Sequence, residues 1–200
     1  MTAEVLAATL EHFWLVFISL IAALAAGGPL GVFLARRARV RRAAMAVVGV
    51  LQTIPSLALF GFLLPVPLIG GIGRRTAILA LVLYALLPIL RNFTVGILGV
   101  DRAVRESAVA MGMTSGELLW RVELPLAFPT ILAGVRIATV ATIGTATIAA
   151  AIGGGGLGTF VFRGIAMADP STILAGAIPA ALMAIAADEV LGWIERRFAW

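Results

Sequence analysis

Two hundred residues that are 62% hydrophobic and only 12% charged, with a mean hydropathy of +1.09, do not describe a water-soluble domain; ordinary globular chains are about 45–50% apolar and about 25% charged. The absence of cysteine excludes a secreted disulfide module, and the apolar excess excludes a disordered chain and a typical soluble enzyme. The net charge of +5 comes from fifteen arginines and no lysine, set beside apolar runs rather than on one polar face, so no nucleic-acid partner is expected. In chain order, five stretches approach the roughly 20 residues that cross a bilayer core of about 30 Å. The first is about 13–35 and ends in Arg36, Arg37, Arg39, Arg41 and Arg42. The second is about 43–64, stopping at Pro65 and Pro67, and the third is about 76–90, meeting Arg91. The fourth is about 128–152, ending in the glycines of 153–156, and the fifth is about 171–194, followed by Glu195, Arg196 and Arg197. The predicted fold is all-α, a polytopic membrane protein with about five transmembrane helices in one domain over 1–200.

Short cytoplasmic loops collect positive charge. With the N-terminus outside, eleven arginines fall inside, three (Arg74, Arg75, Arg163) fall outside, and Arg136 lies within a span. This orientation is therefore expected, with a cytoplasmic C-terminus. The stretch before Phe13 carries Glu4 and Glu11 but no arginine, unlike the basic start of a cleavable signal, so the first span is expected to remain as an anchor. The single histidine, His12, is expected near the lipid headgroups. Trp14, Trp120, Trp193 and Trp200 sit near span ends, as interfacial anchors do.

The longest polar stretch, about 91–125, falls on the inner side. Asp101 is a good helix N-cap, and Asp101 with Arg105 makes an i,i+4 pair in the favourable order. Val104, Ala108 and Met111 share one face, and Gly112 is placed to end that helix in a left-handed conformation. Thr114 with Glu117 three positions on forms a capping box that opens a second short helix, and Pro125 marks its exit into the fourth span. On spacing alone, this element is equally an amphipathic hairpin lying on headgroups.

Glu106-Ser107-Ala108, three residues, Gly112, nine residues, then Val122 with Leu124-Pro125 reproduces the pattern E-A-A, G, I-x-L-P, with Ser107 and Val122 as mild departures. It resembles the cytoplasmic EAA loop of permease subunits in binding-protein-dependent ABC importers, which implies a type I importer permease fold. The segments 51–59 (LQTIPSLAL), 83–92 (LYALLPILRN), 143–150 (IGTATIAA) and 153–158 (GGGGLG) are similar to the osmoprotectant branch, whose substrates are glycine betaine, carnitine and choline. Methionine permeases are the nearest sibling branch, and a methionine or other amino-acid importer stays open as the alternative. The resemblance implies a bacterial cytoplasmic (inner) membrane location, a pair of cytoplasmic ATP-binding subunits docked on the loop, an extracytoplasmic substrate-binding protein, and a second permease copy or paralogue. Glu106, Ser107, Ala108, Gly112, Thr114, Glu117, Val122, Leu124 and Pro125 would then be the ATPase-coupling residues. No cofactor, metal or catalytic residue is expected. The run 153–158 lacks the Lys-Ser/Thr of a phosphate-binding loop and reads as a flexible turn.

Polar side chains are rare inside a span, and Pro55 frees backbone carbonyls, so Gln52, Thr53, Pro55 and Ser56 are candidates for the translocation path. Thr142 and Thr145 of the fourth span are further candidates, although small residues there equally suit close helix packing. Quaternary ammonium groups are usually caught by aromatic cages; with a single tyrosine, this chain is expected to provide a passage and a binding protein the cage. Arg136 either snorkels to the interface or pairs with Asp188 or Glu189 of the fifth span. Two rival classes remain. An intramembrane enzyme would need a nucleophile with a base, which cannot be assembled here. An ATP-independent channel or scaffold would have no need of the glycine-hinged loop.

Overall fold

A computed structural model describes residues 2–67 and 69–198; Trp200 lies outside the described residues. All regular structure among them is helical. Helix α1 spans Thr2–Arg36, α2 Ala38–Thr53, α3 Ser56–Leu63 and α4 Arg74–Leu98. Helix α5 spans Arg102–Ala110, α6 Ser115–Leu118, α7 Leu124–Ala146, α8 Gly158–Met167 and α9 Pro170–Phe198. Four helical stretches are long and apolar enough to cross a membrane: α1, α4, the run Ser115–Ala146, and α9.

The core is built on α4, which packs against both α1 and α7; α9 packs on α7 and α8, and the α2–α3 pair leans on α4. Small residues set these close approaches, as expected where van der Waals packing rather than water exclusion joins helices. At Gly31 an added Cβ would lie 2.4 Å from Phe93 Cβ, and at Gly134 2.3 Å from Asn92 Cβ. Apolar clusters fill the interior, with Ala23, Ala85, Ile89 and Ala138 forming one and Leu15, Phe60, Leu81 and Ile143 belonging to another.

Several elements differ from the sequence-based expectation. The stretch 43–64 is not one helix: α2 and α3 meet at a 100° bend at Ile54 and Pro55. Pro55 has no N–H to continue α2, and it forces Ile54 into extended backbone at φ −71°, ψ 123°. Helix α1 starts at Thr2, well before residue 13, because Ala, Leu and Glu in the first turns are strong helix formers. Helix α4 runs on through Arg91 to Leu98, which shortens the polar segment. The fourth apolar stretch leaves α-helical geometry at Ala146, passes through a 3₁₀ turn over Ile148–Ile152, and ends at Gly153 with φ 75°. The short helix α8 is not among the elements expected from the sequence. Before α9, Asp169 caps the chain by accepting from the Ser171 amide and from the Thr172 and Ser171 hydroxyls. Hydrogen bonds from Thr172 and Ser171 hold its carboxyl below the usual carboxylate range.

His12, expected near the headgroups, is fully buried inside the protein, with Nε2 3.1 Å from the Ile143 carbonyl. A carbonyl can only accept, so Nε2 carries the hydrogen, and Nδ1 is left without a partner among the described residues.

Candidate coupling loop and translocation site

At the arginine-rich end, α5 is fixed at both ends by local chemistry. Asp101 accepts from the Ala103 amide at 2.8 Å as N-cap. At the other end Gly112 sits at φ 87°, its amide bonds the Val109 carbonyl, and the Met113 amide bonds the Ala108 carbonyl. That pair of bonds is a Schellman motif, and it needs a left-handed residue where Gly112 stands. The Thr114–Glu117 capping box closes in both directions: the Glu117 amide donates to Thr114 Oγ1 and the Thr114 amide to Glu117 Oε2.

Two sequence-based expectations are corrected here. Asp101 and Arg105 do not pair. The Arg105 guanidinium instead donates to the Leu98 carbonyl at 3.0 Å and the Val100 carbonyl at 2.8 Å, covering acceptors left over at the end of α4. The i,i+4 pair is Arg102 with Glu106, at 2.6 Å. The second short helix is also not separate. After one turn of α6 the chain passes through a π turn, Leu119–Glu123, straight into α7, with no break at Pro125.

The motif residues are therefore split between two faces. Glu106, Ser107, Gly112, Thr114 and Pro125 are exposed, whereas Ala108 is buried, and Glu117, Val122 and Leu124 are half-buried. Beside them lies an open apolar cleft of about 800 Å³, lined in part by Phe93, Trp120, Leu124, Pro125 and Phe198. Glu123, the unassigned position of V-x-L-P, is fully buried and ion-paired with Arg36. Sequence reasoning missed it, although it lies four residues before Ala127, on the buried stripe continued by Ile131 and Gly134.

The bend between α2 and α3 carries the second set of candidates. Gln52, Thr53 and Pro55 are exposed and Ser56 is half-buried. Two prolines leave carbonyls without helical donors here. Pro88 has no N–H for the Tyr84 carbonyl one turn earlier, and Gln52 Nε2 donates to it at 3.1 Å. The Ile54 carbonyl at the break accepts from the Tyr84 hydroxyl. The two residues thus satisfy each other's elements across the bend, as backbone groups away from water require. Tyr84 is not singled out by the sequence because its role depends on which helix stands opposite. Thr142 is 1% exposed and packed in the interior, so of the two α7 candidates only Thr145 reaches the surface, with its hydroxyl returned to the Ala141 carbonyl.

Arg136 bonds Asp188 through two nitrogens, at 2.6 and 2.7 Å, and Glu195 at 3.3 Å. Glu189 is not its partner. Glu195 stands seven residues beyond Asp188 and hence on the same helical face, a signal that the sequence did contain. Gly192 makes the room, since a Cβ there would sit 3.0 Å from the guanidinium.

At the opposite end, the glycine run, expected to be a flexible turn, is packed against α1. Gly153, Gly155 and Gly156 all have positive φ, and the Gly156 amide donates to Glu11 Oε2 at 2.9 Å. Glu11 also pairs with Arg74, tying α1, α4 and the turn together.

A family model described as the binding-protein-dependent transport system inner membrane component matches residues 27–200. The chain is 43% identical over 194 residues to the choline transport system permease protein OpuBB of Bacillus subtilis, covering 97% of this chain and 88% of that one. It is 42% identical to the carnitine transport permease protein OpuCB of Listeria monocytogenes, with the same coverage. To the glycine betaine/carnitine/choline permease OpuCD of B. subtilis it is 46% identical, covering 93% of this chain and 80% of that one. Among solved structures, an inward-facing MetNI methionine ABC transporter chain superposes with a TM-score of 0.84 at 23% identity, covering 95% of this chain and 94% of that one. That likeness is one of fold. With the family model spanning most of the sequence and relatives above 40% identity over nearly all of it, the chain belongs to the inner-membrane permease components of binding-protein-dependent ABC importers.

Proposed function

We propose that this chain forms the translocation path of an ATP-driven importer for a quaternary ammonium osmoprotectant such as glycine betaine, choline or carnitine. The observation that carries the substrate class is the set of relatives, at 42–46% identity, whose names specify those three compounds. What supports the methionine alternative here is a likeness of fold at 23–24% identity. In this reading the N-terminus is extracytoplasmic and the arginine-rich end faces the cytoplasm. A pair of ATP-binding subunits docks on the loop from Asp101 to Pro125, a binding protein delivers substrate at the glycine-turn end, and a second copy or paralogue completes the path.

The loop suits a mechanical role because it is short, with α5 capped at both ends and α6 capped at its start and continuous with α7, so it would transmit displacement rather than absorb it. Glu106, Ser107 and Gly112, on the exposed face, are the residues we assign to the ATPase contact. The polar bend at Gln52, Thr53, Pro55 and Ser56 is the assigned path segment: exposed polar groups within a span require water or protein rather than lipid.

Gly112→Asp tests the coupling assignment. No atom lies within 4 Å of an added Cβ, so there is no clash, and only the left-handed backbone is penalised, by about 1–2 kcal/mol. The variant should insert at wild-type level yet lose at least tenfold in uptake or in co-purified ATPase. Normal uptake together with normal ATPase recovery would refute the assignment.

A further inference from the structure

Among the described residues Glu123 is the one fully buried carboxylate. Its partner, Arg36, stands in the last turn of α1; Arg36 Nη1 donates to Oε1 at 2.9 Å and Nη2 donates to Oε2. This is the only ion pair among the described residues that joins α1 to the helix carrying V-x-L-P. The fork-to-fork geometry fixes orientation as well as distance, which a single contact would not.

The π turn accounts for a carboxylate reaching this position. Leu118 and Glu123 are both buried and five residues apart, while Trp120 between them is 72% exposed. One wide turn places Leu118 and Glu123 on the same side, whereas ordinary α-helical phasing from Glu123 would bury residue 119 or 120 instead. The π turn therefore joins the phase of the capped loop to the buried stripe of α7. Glu123 sits at that junction, one turn before Ala127 of the apolar cluster that also holds Ala35, Ile97 and Ile131. Glu123 is fully buried while the Arg36 side chain is 40% exposed; the pair offsets the desolvation of the Glu123 carboxylate but adds little net stability over a well-packed apolar side chain at 123, so fastening alone does not account for a charge here.

We propose that Arg36–Glu123 is a strut that carries displacement of the cytoplasmic loop into α1, with Glu123 as a positioning residue for transport. The proposal rests on the reading that the loop receives the ATPase. Without the strut, loop motion is spent in the π turn and does not reach the helix at the centre of the α4 packing.

The test uses the assembled complex in proteoliposomes, with glycine betaine uptake and ATP hydrolysis measured together. Glu123→Gln should keep its ATPase subunits and hydrolyse ATP within twofold of wild type, while uptake per ATP falls at least tenfold. The exchange Arg36→Glu with Glu123→Arg should recover that ratio to within threefold of wild type. Glu123→Asp keeps the charge but shortens the reach by one methylene, and it decides the question if the glutamine variant does not assemble; its uptake per ATP should also fall. A wild-type ratio in either single variant, or uptake and hydrolysis lost in parallel, would overturn the strut. The loop reading is tested separately with Met111→Cys, 72% exposed in a chain that has no other cysteine. Crosslinking to a cysteine on the ATPase subunit supports it. No crosslink in a complex that still transports would overturn the loop reading, and the strut with it.

Discussion

Gly158→Ala is expected to remove the folded protein from the membrane fraction, to below about a tenth of the wild-type level. A Cβ at this position would lie 1.8 Å from the Thr147 carbonyl oxygen and 2.9 Å from Ala150 Cβ. The obstacle is backbone, at the residue that joins α7 to the 3₁₀ turn, so no flexible side chain can yield. Relief requires moving that junction and α8 apart, which strains the segment 153–157 between them, including the Gly156–Glu11 contact and the bond from the Gly73 amide to the Ile152 carbonyl. Overpacking, backbone shifts included, ordinarily costs about 1–3 kcal/mol and occasionally more, and a 1.8 Å approach to a backbone oxygen belongs to the severe end. Gly49→Ala in α2 is the control: nothing lies within 4 Å of its Cβ, and alanine favours the helix by about 1 kcal/mol. Immunoblotting of membranes and size-exclusion of the solubilised protein should show Gly49→Ala at wild-type level and Gly158→Ala lost. Equal levels of the two would show that the turn is loosely packed.

The second large effect lies at Arg136. Arg136→Glu would set a third carboxylate beside Asp188 and Glu195, and Asp188→Arg would set a second guanidinium beside Arg136. The side chains of Arg136 and Asp188 are 32% and 39% exposed, so the pair is screened in part, but each single change leaves like charges facing one another where opposite ones paired. Each single variant should lose five- to tenfold in membrane level and uptake, and the exchange Arg136→Glu/Asp188→Arg should recover at least half of the wild-type value. A double variant no better than either single one would rule out the pair.

What is legible in the sequence depends on where the information resides. Apolar runs mark α1, α4, α7 and α9, because apolar windows of that length cannot be covered by the core of so small a chain and must face lipid. The caps at Asp101 and Thr114 and the turn at Gly112 are equally legible, since local side-chain chemistry determines them. The bend at Pro55 is not, because hydropathy runs unbroken across 43–64 and only the loss of one backbone donor interrupts the helix. His12, Glu123 and Tyr84 share a different difficulty: each is positioned by a partner far away in sequence, Ile143, Arg36 and Ile54 respectively. Arg36 in particular reads as an orientation charge until the π turn brings Glu123 to it. The glycine run reads as flexible for the same reason, since the helix that packs it begins at the other end of the chain.

The measurement that bears most directly on the central claim is uptake by the reconstituted permease, ATPase and binding-protein complex, using radiolabelled glycine betaine, choline, carnitine and methionine in parallel. ATP-dependent accumulation of at least one of the three quaternary ammonium compounds, with no accumulation of methionine, is the expected result. Uptake of methionine alone, or flux of an osmoprotectant that proceeds unchanged without ATP, would contradict it.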